Sequence, residues 1–482
     1  MMINRPLLII GTLALLATSC QKETGNSIEL NSEADLAGLT ISCANGNYYE
    51  RKYSTRQDVS VFAANTDADA VQALRQGLAD VFITDEVALS GDKLKELGMK
   101  KAMRGEETFD VAFGIRKGNE ELLKSANEFI TKAVADGTLD AVISHWVDGT
   151  PAVPYPDSQV DPEAAPLRCV ICNNLAPVGF LGEDGWDGID PEILKRYALW
   201  AGRPIEFKFQ DLGSAIIALQ TQQADIIAAC LYITEERQKS IDFTVPYYLC
   251  HAGYFVRDYS LDGTLGMKER LRMNLVTEKR WKLITDGLLE TVRITIFAIL
   301  LGTVLGAGVC ALKRSNRKWV RSAIGLYGVF IQGIPTLVLL LIMFYIVLAG
   351  SGLSGSTVAI ITFALCFAWT SGCIFDTSIS SVPKGQTEAG LSLGFTPLRT
   401  FTGIVFPQAL KKGLPLFEGE CVTLLKSTSI VGYIAIMDLT RASDLIRSRT
   451  FDALIPLLII TIAYFVLAWL IRVLLNLLLR KK

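Results

Sequence analysis

The side chains best suited to chemistry are few and scattered. Cys169 and Cys172 form C-V-I-C, a spacing that can hold a soft metal. No second Cys/His pair completes a tetrahedral site, and Arg168 to Cys172 has the character of a buried strand. The two histidines, His145 and His251, read as surface or packing residues, so no metal is expected. The ten cysteines form no dense disulfide framework. No Gly-rich phosphate-binding loop ending in Gly-Lys-Ser/Thr is present, and no cofactor is expected in this chain. Asp376, Glu418, Glu420 and Lys426 stand in or beside long apolar runs, where an ionisable residue is a functional candidate. All four lie near the ends of those runs, where charge is cheap, and read as interfacial.

These residues sit in two kinds of sequence. The 482 residues are enough for two or three domains. Half are hydrophobic, the mean hydropathy is +0.34, and the net charge of −2 points to no nucleic-acid partner. Before about residue 284 the chain is polar and mixed. After it come five apolar segments, 286–312, 330–350, 356–380, 416–437 and 451–476, each near the ~20 residues that cross a bilayer. An odd number of spans puts the two ends of this region on opposite sides. Lys313, Arg314, Arg317, Lys318 and Arg321 follow the first span, Lys384, Arg399, Lys411 and Lys412 the third, and Arg480, Lys481 and Lys482 the last. That distribution favours a cytoplasmic C-terminus. Arg441, Arg447 and Arg449 fall in a predicted outer loop and run against the pattern.

Residues 1–20 combine Arg5, an apolar stretch and Ala-Thr-Ser-Cys, as an export signal does. The ending resembles the bacterial lipobox, which would make Cys20 a lipid-modified N-terminus. The alternative is a retained signal anchor. Between this signal and the spans, residues 39–147 and 167–257 both alternate strand-like and helix-like patterns, implying helix-covered parallel sheets.

Within the third predicted loop, Glu388-Ala389-Gly390, then Gly394, Ile404 and Pro407 match the spacing of the EAA loop of ABC importer permeases. Gly390 and Phe406 stand where Ala and Leu are usual. Gly333-Ile334-Pro335-Thr336-Leu337-Val338, Ser381-Val382-Pro383 and Leu425-Lys426-Ser427-Thr428-Ser429 resemble segments of the polar amino-acid uptake permeases, over about 280–482. Cys373, Asp376 and Gln332 depart from charges usual there. The resemblance implies a helix-turn-helix loop that docks on a separate cytoplasmic ABC ATPase, and a second permease chain as homodimer partner.

In the front region, Thr234-Glu235-Glu236-Arg237 followed by Ile241-Asp242-Phe243-Thr244 and Pro246-Tyr247 resembles the T-x-E-R…D-F-S-x-P-Y of family 3 solute-binding proteins for amino acids. Gly188-Ile189-Asp190, Ala73-Leu74 through Thr84-Asp85-Glu86, and Asp136-Gly137 through Trp146 resemble other parts of them. The resemblance implies an amino-acid ligand. Arg237 would clamp its carboxylate, since the planar guanidinium matches two oxygens. Asp85 would accept from its ammonium, with further donors near Gly46 and Asn47. The pocket departs from the family: Leu175 and Val178 replace aromatics, Tyr232 a small hydroxyl residue, and Asn47 a Thr. Tyr48 and Trp186 are candidates for the missing ring.

The T-x-E-R piece comes first in that family and second here. The two pieces are complementary, so one circularly permuted domain is expected, rather than two half-domains that each need a partner chain. Its parts are a lobe at 32–150, a Pro-rich linker at 151–166, which can reach on the order of 50 Å when extended, and a lobe at 167–262.

The expected architecture is a two-lobed α/β binding domain of periplasmic-binding-protein type followed by an all-α five-span permease at 280–482. The expected function is an amino-acid ABC importer subunit in the bacterial cytoplasmic membrane, with the binding domain outside and its closure passed on through Asp258 to Lys282. The alternatives are a ligand-gated channel or receptor, for which no filter loop is visible, and an enzyme of the same fold, which leaves the spans unexplained.

Overall fold

The computed structural model describes residues 28–89, 91–157, 159–172, 174, 176–260 and 266–480. The export signal with Cys20, and Leu175, lie outside them. Two five-stranded sheets form the front half. The first has β1 (Thr40–Ala44), β2 (Ser60–Ala64), β3 (Val81–Asp85), β4 (Met99–Val111) and β12 (Tyr248–Arg257), in the order β2-β1-β3-β12-β4. The second has β5 (Gly114–Arg116), β6 (Leu167–Ile171), β9 (Ile205–Phe209), β10 (Ile226–Ala228) and β11 (Ile241–Phe243), in the order β11-β5-β10-β6-β9. A small hairpin, β7 (Phe180–Gly182) and β8 (Gly185–Asp187), stands apart. Cys169 pairs with Phe207 and Ile226 inside β6, so the C-V-I-C cysteine is a buried strand residue.

The sheets do not divide at the sequence boundary near 150. The chain leaves the first sheet after Val111 and returns to it at Tyr248, so β5 joins the second sheet and β12 the first. Both crossings run side by side. Tyr247 N–H donates to Val111 O at 3.0 Å, Thr244 N–H to Phe113 O at 3.0 Å, and the Phe113 and Tyr247 rings stack at 4.3 Å. Two adjacent strands joining two lobes make a hinge. Lobe one therefore comprises residues up to Val111 plus β12, and lobe two the stretch from Gly114 to Phe243. Short-range pattern could not reveal this, because the exchange is a long-range pairing.

Helices cover both sheets. In lobe one they include α1 (Tyr48–Ser54) and α2 (Asp67–Arg75). In lobe two they are α3 (Glu120–Ala135), α4 (Thr138–Asp148), α5 (Ile189–Trp200), α6 (Leu212–Gln220) and α7 (Glu235–Gln238). Trp146 Nε1 donates to Glu192 at 2.6 Å and ties α4 to α5. The Pro-rich linker is held as well: buried Arg196 of α5 donates to Val153 O at 2.6 Å and Pro154 O at 3.0 Å, and its guanidinium lies 4.5 Å from the Tyr155 ring.

The back half is helical: α8 (Trp281–Lys313), α9 (Lys318–Gly333), α10 (Thr336–Ile342), α11 (Gly355–Ser380), α12 (Lys384–Ser392), α13 (Phe406–Ser427), α14 (Leu439–Thr450) and α15 (Leu454–Arg480). Among the described residues three helices are long and apolar enough to cross a membrane, α8, α11 and α15, and up to five spans result if each bent pair counts as one. The segment expected at 330–350 is one of the bends: α9 and the helix after it meet at 106°. Pro335 forces Ile334 into extended backbone, φ −106° and ψ 128°, which ends α9. Helices α8 and α11 pack through small residues. A Cβ on Gly306 would meet Ser371 Oγ, and one on Gly302 would meet Ala364 O at 2.9 Å. Such close approach is how helices associate in lipid.

Candidate functional site

The cleft between the lobes gathers Asp85, at the end of β3, and Arg237, in α7. The Asp85 carboxylate accepts from the hydroxyls of Tyr49 (3.3 Å) and Tyr232, and the two hydroxyls contact each other at 2.7 Å. Burial pushes the Asp85 carboxyl up to about 7. Arg237 is half-buried, and burial together with the nearby Arg51 charge lowers its guanidinium to about 10. Its Nη1 donates to Tyr232 O at 3.1 Å. Among the described residues no carboxylate forms an ion pair with Arg237, whereas its neighbour Arg51 reaches across to Glu236. The cleft thus holds a guanidinium without a carboxylate on one lobe and a carboxylate without a cation on the other. That is the charge pattern a zwitterion complements.

The remaining predicted ligand residues play other parts. Asn47 is the N-cap of α1, its Oδ1 accepting from Glu50 N–H at 2.8 Å. Gly46 N–H donates to the Glu50 carboxylate. The Asn47 N–H donates to Ala44 O at 3.3 Å, so both backbone donors expected there already have partners. They set the direction in which α1 leaves the loop, and hence where Tyr48 and Tyr49 stand. Val178 is buried in the core, and its carbonyl accepts from Asp190 N–H at 2.9 Å. Asp190 Oδ2 in turn accepts from Cys230 N–H at 3.0 Å. Trp186 packs against Phe209, 5.5 Å between ring centres. Of the two ring candidates, Tyr48 is in the cleft wall, its ring 4.7 Å from Phe109 and 6.0 Å from Tyr232.

Three cleft residues escaped the sequence reading. Phe109 of β4 stacks on Tyr232. The thiols of Cys230 and Cys250 converge on Asp85, the three donor groups lying within 4.8 Å of one another. Contact with Cys250 and burial push the Cys230 thiol well up, so it stays protonated. The two cysteines come from different sheets and gave no motif spacing.

A second surface lies where the two halves meet. Helix α14 is capped by Asp438, which accepts from Thr440 N–H at 3.1 Å and Arg441 N–H at 2.9 Å. One helix then touches both lobes. Toward lobe one, Arg447 pairs with Asp69 at 3.2 Å, and Phe451 joins the core formed by α2 and its strands. Toward lobe two, Arg441 donates to Phe209 O at 3.0 Å and lies over its ring, and Asn174 donates to Leu445 O at 2.7 Å. Arg449 lies 4.1 Å from the Phe180 ring centre and pairs with Glu278 at 2.9 Å. The tether before α8 docks here too, Arg270 and Asn274 both donating to Asp452 at 2.9 Å. The arginines that ran against the inside-positive pattern are those that bind the lobes. That anomaly was the available signal.

The third surface is the loop from Lys384. Helix α12 ends at Gly394, φ +81°, the left-handed turn that glycine tolerates best. The chain then reverses through a Thr396-capped turn, Pro397–Thr400, toward α13. A Cβ on Gly390 would lie 2.6 Å from Thr400 Cγ2 and 3.0 Å from Ile404 Cδ1, which accounts for Gly where Ala is usual. Glu388, Ala389 and Pro407 are exposed, and Leu393 and Leu398 are 75% and 72% exposed. The charges singled out beside the spans are mostly paired. Asp376 meets Arg314 at 3.0 Å, Glu418 meets Arg472 at 3.4 Å, and Glu420 accepts from Thr370 at 2.8 Å.

Comparison with known proteins matches these parts. The L-cystine transport system permease protein TcyB of Bacillus subtilis is 31% identical over 205 residues, spanning 42% of this chain and 86% of that protein. The chain belongs to the amino-acid ABC transporter permeases. The probable amino-acid ABC transporter permease protein YckA of the same organism is 30% identical, over 41% of this permease and 88% of its own length. A solved amino acid ABC transporter "with histidines" is 30% identical with a TM-score of 0.40, covering 45% of this chain and all of that one. The family model for bacterial extracellular solute-binding proteins, family 3, matches residues 167–391 and starts where β6 starts. The permease is therefore an amino-acid importer subunit of the inner membrane that carries solute-binding sequence in the same chain.

Proposed function

We propose that this permease captures an amino acid outside the cytoplasmic membrane in the cleft between Arg237 and Asp85, and delivers it to its own membrane helices. One observation carries the reading: Arg237 and Asp85, groups of opposite charge on the two lobes, are bridged by the neutral Tyr232 and form no close ion pair among the described residues. The ligand's carboxylate would neutralise the guanidinium and its ammonium the carboxylate, so ligand favours the closed hinge. Helix α14, bound to both lobes, is the element that feels closure.

The front half is one circularly permuted domain, a reading supported by the exchange of β5 and β12 between the sheets. Cys20 is its lipid anchor. The exposed loop around Glu388, Ala389, Gly390, Gly394 and Pro407 docks on a separate ABC ATPase, and a second copy of the chain completes the translocation path. The ligand is a polar amino acid, in keeping with relatives named for L-cystine, glutamine and arginine transport.

The test is uptake of a mixture of labelled amino acids into proteoliposomes holding the chain and an ABC ATPase. ATP-dependent uptake that Glu388→Ala abolishes, with ligand binding retained, supports the reading. Uptake by Glu388→Ala at the unmodified rate contradicts the role given to the loop.

A further inference from the structure

Both recognition groups of the cleft are engaged by one residue. Tyr232 leaves lobe two between β10 and α7 and is 5% exposed. Its ring crosses to lobe one and stacks on Phe109, 4.4 Å between centres and 6° between planes. The rings of Tyr48 and Tyr49 meet it edge-on at 6.0 and 6.1 Å. Its hydroxyl donates to Asp85, and its carbonyl accepts from Arg237. Its backbone also forms a bridge to Val111, where the chain crosses between lobes.

We propose that Tyr232 is an internal competitor for the ligand, so that an amino acid binds only by displacing the phenol from Asp85 and taking over Arg237. This rests on the amino-acid reading above and sharpens it. The two atoms a zwitterion must reach are those Tyr232 already holds. The stack on Phe109, a lobe-two ring on a lobe-one ring, closes the hinge as a ligand would. The segment that carries the ring has a place to bend: Cys230, two residues before it, has φ +45°, sparsely populated for a residue with a side chain. Affinity for a ligand that needs the displaced state falls by the fraction of molecules in that state. Tyr232 thereby sets a threshold concentration and favours ligands able to replace both a hydrogen bond to Asp85 and a flat contact on Phe109.

The experiment uses the full chain in detergent, with Tyr232→Phe and Tyr232→Ser beside the unmodified protein. Each is titrated calorimetrically with the common amino acids one by one, and hydrogen exchange is followed over 48–54 and 229–238 with no amino acid added. The proposal expects Tyr232→Ser to bind at least tenfold tighter than the unmodified chain. Tyr232→Phe, which keeps the stack and loses the hydroxyl contacts, should fall between. Without amino acid, both segments should exchange faster in Tyr232→Ser, and a bound amino acid should restore protection. Equal or weaker binding by Tyr232→Ser, with the unmodified chain binding, overturns the proposal, because Tyr232 is then an ordinary wall contact. Unchanged exchange in Tyr232→Ser overturns it as well. No heat from any amino acid with any variant overturns the amino-acid reading itself, and with it the competition.

Discussion

The cleft and the α14 face both join parts of the molecule through arginines, in opposite manners. On α14, Arg447 and Arg449 have fixed carboxylate partners, and Arg441 a carbonyl and a ring. In the cleft, Arg237 meets a peptide carbonyl, and Asp85 meets phenols and the Cys230 thiol, all of them neutral. Two of the three α14 arginines are thus held by carboxylates, which fixes the seam. Charges answered by neutral groups make a site where a charged ligand can take over. The same residue type thus serves assembly in one place and recognition in the other, and the partner decides which.

The comparison can be tested from both sides. The largest effect is expected from Arg237→Ala, which removes the cleft guanidinium that has no ion pair among the described residues. Truncating one member of a desolvated charge pair costs about 2–5 kcal/mol, so calorimetry should show affinity weakened by roughly thirtyfold or more. Next is Gly390→Ala, whose Cβ would lie 2.6 Å from Thr400 Cγ2. Overpacking of about 1–3 kcal/mol should cut uptake severalfold with amino-acid binding unchanged. Adding Thr400→Ser, which removes the clashing methyl, should restore uptake.

The cleft should also respond to pH. Asp85 accepts from an ammonium only when ionised, and its carboxyl sits at about 7. Below that value protons compete with the ligand, so affinity should fall as pH falls, approaching about tenfold per unit. Calorimetry from pH 8 to 5.5 checks this, and Asp85→Asn should flatten the profile. On the seam, Arg447→Ala should leave ligand affinity within about twofold, because its pair with Asp69 lies on the α14 face and not in the cleft. It should nonetheless weaken coupling of binding to uptake. The smallest effect is expected from Asn47→Ala. Its side chain caps α1, so thermal melting should drop by the equivalent of about 1 kcal/mol with little change in affinity.

These surfaces were unequally legible in the sequence. The turn of the Glu388 loop was expected from its resemblance to a known loop, and the structure shows a helix, the Gly394 turn and a second short helix there, all within some twenty residues. Its Gly390 departure even found a local cause in Thr400. Arg237 and Asp85 were readable from local motifs, and the structure brings them to one cleft. The capping role of Asn47 was overlooked although a local rule was at hand: Asn three residues before Glu50 is a helix-start signal. The exchange of β5 and β12, the stack of Tyr232 on Phe109 and the meeting of Cys230 with Cys250 were not legible, because each joins residues far apart in the chain. The break before Pro335 was written in the sequence, but a hydropathy window averages over it.

The account stands most directly on titration of the purified full chain with each common amino acid, run in parallel on Arg237→Ala. It predicts saturable heat from at least one amino acid with the unmodified chain and much weaker binding of it by Arg237→Ala. No heat from any of them, or equal heat from both proteins, would contradict it.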